Sequence, residues 1–156
     1  MKFRTKLFIF CLAVPLLVGL IAGLATRSSM DTFELLDKPP LSPPGWLFPV
    51  VWTVLYALMG IASYLVLASG RPQEEITSAL LLYGLQLAFN FVWSFLFFKF
   101  ELYWFSFGWL VALWILILLT ILRFRAIARP TFYLLLPYLL WVTFAGYLNL
   151  GIAWLN

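Results

Sequence analysis

Five apolar runs dominate the chain, at residues 7–25, 46–68, 76–98, 102–122 and 132–155. Each holds 19 to 24 residues, and none contains any of the sixteen Lys, Arg, Asp or Glu residues. Roughly 20 helical residues cross a bilayer core. Lipid offers the backbone no hydrogen bonds, so a spanning run of this kind has to be helical. The pattern predicts an all-α polytopic membrane protein, a bundle of five transmembrane helices forming one domain over residues 1–156. Short links after the second, third and fourth runs predict antiparallel neighbours. The exception is the 20-residue connection 26–45, and a connection that long tends to be functional or disordered.

Composition agrees with a lipid environment. Hydrophobic residues make up 65% of the chain, aromatics 20% and charged residues 10%, against about 25% charged in soluble domains. Lys2, Arg4 and Lys6 precede the first run, as in a signal peptide. That run is longer than an h-region of about 7–15 residues, so a retained helix is expected. The net charge of +4 requires no nucleic-acid partner, because the basic residues sit where topology wants them. Seven lie at the N-terminus and in the 69–75 and 123–131 loops; three lie in the 26–45 and 99–101 connections. Cytoplasmic segments collect Lys and Arg. The expected orientation therefore has the N-terminus cytoplasmic, the C-terminus outside, and the long first loop on the outer face.

That loop ends in "SPPGWLFPVVWTVLY", residues 42–56. Asp31 is expected to cap a short turn carrying Phe33, Leu35 and Leu36. Pro39, Pro40, Pro43, Pro44 and Gly45 then stiffen and end it. Pro43, Pro44 and Trp46 are read as parts of an ordered lid, with Trp46 also anchoring at the membrane interface. The bland alternative is a spacer between distant helices.

Several chemistries are excluded. The chain has no His, which removes His-ligated metal, a His-dependent triad and a His proton relay. Cys11 is the only cysteine, no phosphate-binding Gly-rich loop occurs, and no carboxylate lies within a span. No metal site is expected. The polar groups inside the spans are neutral. Gln86, Asn90, Trp93 and Phe97 share one face of the third helix, by their spacing of i, i+4, i+7 and i+11. Trp52 and Tyr56 are four apart in the second helix; Tyr138, Trp141, Ala145 and Asn149 follow helical spacing in the fifth. An amide facing lipid is costly, so Gln86, Asn90 and Asn149 should face the interior and carry the aromatic stripes with them. The pattern points to an aromatic-walled cavity among these helices, suited to a flat, largely apolar ligand. The alternative is that the amides are interhelical glue worth about 1 kcal/mol each and the aromatics are filler.

"KPPLSPPGWLFPVVWTVLYALMG", "QLAFNFVWSFLFF" and "PYLLWVTFAGYLNLGIAWLN" closely resemble the TspO/MBR family, the tryptophan-rich sensory proteins, over nearly the whole chain. The resemblance implies a dimeric five-helix protein in the membrane, here of the prokaryotic type and so in a prokaryotic cell membrane. It implies binding of porphyrin, haem or other flat hydrophobic ligands, for sensing, sequestration or transport, with no obligatory cofactor. The family's functional positions fall on Trp52, Asn90, Trp93, Trp141 and Ala145. An alternative it carries is light-dependent porphyrin breakdown through Trp52 and Trp141, although general acid–base machinery is lacking. Two departures matter. Leu41 stands where many relatives have Trp. The sterol-recognition segment of animal members is also missing, so sterol transport is not carried over. A third class is an assembly partner without a ligand of its own. For the dimer, Gly19 and Gly23 form a GxxxG match in the first helix, while Gly84 and Ala88 form a small-xxx-small pair in the third. The second pair is expected to point away from the pocket, toward a second subunit.

Overall fold

A computed structural model describes residues 2–156. The helices are α1 (Thr5–Thr26), α2 (Met30–Glu34), α3 (Leu47–Leu67), α4 (Gln73–Ser94), α5 (Tyr103–Ile127) and α6 (Thr131–Leu155). A 3₁₀ turn, Arg27–Ser29, joins α1 to α2, and a π-helical turn, Phe95–Lys99, extends α4. Five of these segments are long and apolar enough to cross a membrane. The spans lie at the expected places, but the fourth runs five residues further, to Ile127.

Around the bundle, α1 packs on α3, α3 on α6, α6 on α5, and α5 on α4, which closes back onto α1. Outward faces carry large apolar side chains such as Ile9, Leu17, Leu81 and Leu140, as a lipid-facing surface requires. The core is a stripe of Met59, Leu113, Ile117, Tyr138 and Ile152, each almost wholly buried. Indole N–H groups cross between helices: Trp109 donates to the Phe89 carbonyl (2.9 Å) and Trp114 to Thr143 Oγ1 (2.8 Å).

Where α1 meets α3, Pro15 and Gly60 act together. Pro15 lacks the N–H that would bond to the Cys11 carbonyl four residues back. Gly60 lies against that turn: a Cβ there would come within 2.7 Å of the Cys11 carbonyl oxygen and 2.8 Å of Leu12 Cα. Only glycine permits this approach. The Arg4 amide donates to Tyr64 Oη at 3.0 Å, fixing the start of α1 beside the end of α3. This end of the bundle also holds the Arg71–Glu75 ion pair (2.9 Å) and the Arg123–Ser78 hydrogen bond (2.6 Å).

The opposite end carries the long connection, which is folded down onto the bundle. Asp31 corrects one expectation: it lies inside the first turn of α2, behind Ser29 at the N-cap, and no side chain caps the helix. The 3₁₀ turn carries the chain on from α1, so the connection begins as an extension of that helix. Further on, Pro39 packs on Gly151 of α6. Tyr147 Oη donates to the Pro40 carbonyl (2.6 Å), and the Asn156 amide exchanges bonds with the Asp37 backbone (2.8 and 3.2 Å). The Leu47 amide donates to the Pro44 carbonyl (3.0 Å) as α3 begins. Pro49 sits in that first turn, where a missing N–H costs nothing.

Candidate functional site

Two sites emerge where the sequence pattern suggests one. The first is a chain of hydrogen bonds at the centre of the bundle. Tyr56 Oη donates to Asn90 Oδ1 (2.9 Å), Asn90 Nδ2 to Tyr138 Oη (2.8 Å), and Tyr138 Oη to Gln86 Oε1 (2.6 Å). Gln86 Nε2 ends against Met59 Sδ at 4.0 Å. A second knot forms one turn away. Asn149 Oδ1 accepts from Trp93 Nε1 (3.0 Å) and Ser106 Oγ (3.2 Å), while Asn149 Nδ2 donates to the Tyr103 carbonyl (2.8 Å). Gln86, Asn90 and Asn149 are each at most 1% exposed. All three do face the interior, and the groups they reach belong to the protein.

The space among α3, α4 and α6, where the aromatic stripes place a pocket, is filled. Trp93 stacks on Phe97 (centroids 5.2 Å apart, 17° between planes). Phe33 of α2 enters from above against Phe48, Phe97 and Phe98. A void of only about 10 Å³ remains, lined by Trp93, Phe97 and Ala145 with these neighbours. Trp141 lies beside it, edge-on to Phe48 at 6.0 Å, and its buried indole N–H has no partner.

The second site is a half-open cavity of about 760 Å³ between α1 and α3, bordered by Met30, Asp31 and Glu34 of α2 and at one side by Ser94 and Phe98. Of the ten ligand-binding residues expected from the sequence, Trp52 and Tyr56 line it. Their rings stack 5.6 Å apart, and Trp52 meets Tyr138 edge-on at 6.2 Å. Trp46, expected to belong to a lid, also lines it and is 69% exposed. Pro43 and Pro44 do not line it; they set the path of the chain into α3. The cavity therefore lies one helix away from its expected place, with α1 as a wall.

Sequence reasoning missed Phe48, Phe98 and the α1 wall. Phe48 had a readable signal, since Phe48, Trp52 and Tyr56 repeat at four-residue spacing. Phe98 had none: the π turn admits Phe97 and Phe98 together, and such a widening leaves no mark in periodicity. The α1 wall depends on Gly19, which lies under the Tyr56 ring, so half of the first-helix GxxxG pair serves packing within the chain. On α4, by contrast, Gly84 and Ala88 lie on an exposed stripe with Leu81 and Leu85.

Comparison with known proteins bears on this arrangement. A family model described as the TspO/MBR family matches residues 11–155. The chain is 40% identical to "Tryptophan-rich protein TspO" of Chlorobaculum tepidum, covering 94% of this chain and 93% of that protein. It is 37% identical to the protein of the same name from Archaeoglobus fulgidus, over 97% of each. It is 35% identical to "Translocator protein" of Bos taurus, over 87% of this chain and 82% of that one.

Proposed function

The chain belongs to the TspO/MBR family of integral membrane proteins, and from that premise we propose that it binds a flat, largely apolar ligand of the tetrapyrrole type in the α1–α3 cavity, to sense, sequester or move it. The observation that carries the reading is the cavity itself. Its volume of about 760 Å³ lies within the roughly 300–1,000 Å³ of small-molecule sites. Trp46, Phe48, Trp52 and Phe98 give it ring faces on which a planar ligand stacks, with Tyr56 stacked behind Trp52. The lining contains no imidazole or thiolate, and Met30 is its one soft donor. This donor set suits a metal-free porphyrin better than haem iron.

A spectroscopic titration with protoporphyrin and haem tests the reading. Saturable binding that weakens in Trp52→Ala supports it. Binding unchanged by that substitution places the ligand elsewhere. Light-dependent breakdown is a second reading, favoured only by Trp52 in the wall. Illuminating bound porphyrin with wild type and Trp52→Phe/Trp141→Phe protein decides it: rates equal to those with an unrelated membrane protein remove the enzyme.

The same proposal includes a homodimer through α4 and the N-terminus on the cytoplasmic side. The exposed stripe supports the dimer, since a Cβ added at Gly84 would meet no atom within 4 Å. Cysteines at Gly84 or Ala88, with Cys11 replaced, should crosslink in native membranes. The seven basic residues at one end of the bundle support the orientation.

A further inference from the structure

The seam between α1 and α3 is closed along only part of its length. The two helices touch from the start of α1 as far as Gly19: Arg4 bonds to Tyr64, Gly60 lies on the Cys11–Leu12 turn, and Gly19 lies under the Tyr56 ring. Beyond Gly19 the cavity parts them, and its lining runs round α1 to the outer side, taking in Leu20, Ala22 and Leu24. Ala22 faces the bundle and is 4% exposed, whereas Leu20 and Leu24, each two residues from it, point about 160° away round the helix and are 56% and 61% exposed. Across the gap, the lining residues Pro49 and Thr53 of α3 are exposed as well. All these positions lie inside the apolar runs 7–25 and 46–68. This side of the cavity therefore opens onto lipid rather than water. The span that α1 begins is the least buried of the five.

Two further features fit a lipid-facing opening. The hydroxyls at its edges, Thr26 and Thr53, donate to the Ala22 and Pro49 carbonyls (2.8 and 2.7 Å), so neither needs water. From Leu16 to Thr26 the lining follows α1 for about 15 Å, half of a hydrocarbon core about 30 Å thick. The opening is one leaflet deep.

We infer that the cleft exchanges its contents with the bilayer: a phospholipid acyl chain from the leaflet next to the long connection lies in it at rest, and the flat ligand, dissolved in that leaflet, enters sideways between α1 and α3 and displaces the chain. The inference rests on the reading of this cavity as the ligand site. An apolar cleft that gives onto lipid fills with lipid, because leaving it empty forfeits dispersion contacts along both walls. The chain makes no hydrogen bond and no ring stack. A rigid ring system that stacks on Trp52 and Phe98 therefore displaces it. Residues of α2 border the same opening, so the connection and the cleft bound one exit.

Photolabelling of wild-type protein in phosphatidylcholine vesicles tests this, using a phosphatidylcholine with a diazirine midway along one chain. Peptide mapping should find label on Trp52 or Phe98, inside the cavity, and on the lipid-facing Leu140 of α6. Protoporphyrin at about ten times its Kd should cut the cavity label about tenfold by mass action and leave the Leu140 label unchanged. Gly23→Phe sets a ring in the cleft, at a position where a Cβ meets no atom within 4 Å. It should lower the cavity label and slow porphyrin association several-fold, with the Leu140 label unmoved. Label on Leu140 with none in the cavity overturns the inference. So does association at the wild-type rate in Gly23→Phe protein that has lost its cavity label, since the ligand then enters by another way. Cavity label that bound protoporphyrin fails to displace supports the lipid occupant and overturns the reading of the cavity as the porphyrin site.

Discussion

The centre of the bundle and the α1–α3 cavity are built from similar residues in opposite ways. Both hold aromatic rings and polar groups at the depth of the spans. At the centre, every side-chain amide is matched by another protein group, and the remaining void is about 10 Å³. The cavity is lined by rings around an open volume of about 760 Å³, and its polarity comes from hydroxyls and two carboxylates. An amide buried in a bilayer has to be satisfied whether or not a ligand is present, because no water stands by. A site that is empty part of the time is therefore better walled with indoles, phenyl rings and hydroxyls bonded within their own helix. Thr53 and Thr26 do this, donating to Pro49 and Ala22 carbonyls at 2.7 and 2.8 Å. Tyr56 joins the regions, with its ring in the cavity wall and its hydroxyl in the central chain.

The strongest way to break the contrast is to pry α1 from α3. Gly60→Val sets a branched side chain against backbone atoms of α1, which cannot rotate away. Overpacking of this kind costs roughly 2–3 kcal/mol. Thermal unfolding in detergent should show it as a clear drop in midpoint. Gly23→Val, which meets no atom within 4 Å, should leave the midpoint almost unmoved. Equal midpoints for the two variants would mean that the close approach at Cys11 is not holding the cavity wall.

Ala145→Phe and Asn90→Leu act next, on the centre. Ala145 borders a void far too small for a phenyl ring, so its enlargement should destabilise by about 1–3 kcal/mol. Asn90→Leu removes two interhelical bonds, from Tyr56 and to Tyr138, at roughly 0.6–1.7 kcal/mol each. Neither residue lines the cavity, so porphyrin affinity per folded molecule should stay within about twofold, whereas Trp52→Ala should lose a stacking contact worth about 0.5–1.5 kcal/mol. If Asn90→Leu abolishes binding in protein that remains folded, the central amides contact the ligand and the two regions are one site.

These expectations also mark how far the sequence carries. The five spans were legible because run length and the exclusion of charge from them are set by the bilayer itself. The inward placement of Gln86, Asn90 and Asn149 was legible because helical spacing and the cost of a lipid-exposed amide leave one choice. Their partners were not. Periodicity assigns a face to each helix but not the neighbour that the face meets. Trp93 and Asn149 lie 56 residues apart, and nothing local joins them. The open cavity lies one helix from the expected pocket for the same reason: Phe33 is a loop residue in sequence, yet it folds in to plug the space among α3, α4 and α6. The apolar α1, featureless by periodicity, supplies the wall of the cavity that remains open.

The smallest expected effect concerns the lid. Phe33 of α2 packs on Phe48 of α3, but the second half of the connection is fastened to α6. Pro39 lies on Gly151, Tyr147 holds the Pro40 carbonyl, and Asn156 holds Asp37. A Cβ at Gly151 would come within 2.5 Å of Pro39 Cγ, so Gly151→Ala should lift this segment. Pro39 is buried and its ring cannot rotate away, so the segment has to shift as a whole, at about 1 kcal/mol, the low end of overpacking costs. The consequence should be kinetic. A lid held less firmly opens more often, so porphyrin dissociation should quicken by a few-fold while association changes less, as is usual when an existing interface is weakened. Stopped-flow displacement reads both rates. Tyr147→Phe, which removes one hydrogen bond without adding bulk, should act in the same direction. Unchanged dissociation in both variants would make the connection a spacer, and would leave the open cavity and the closed centre differing in packing alone.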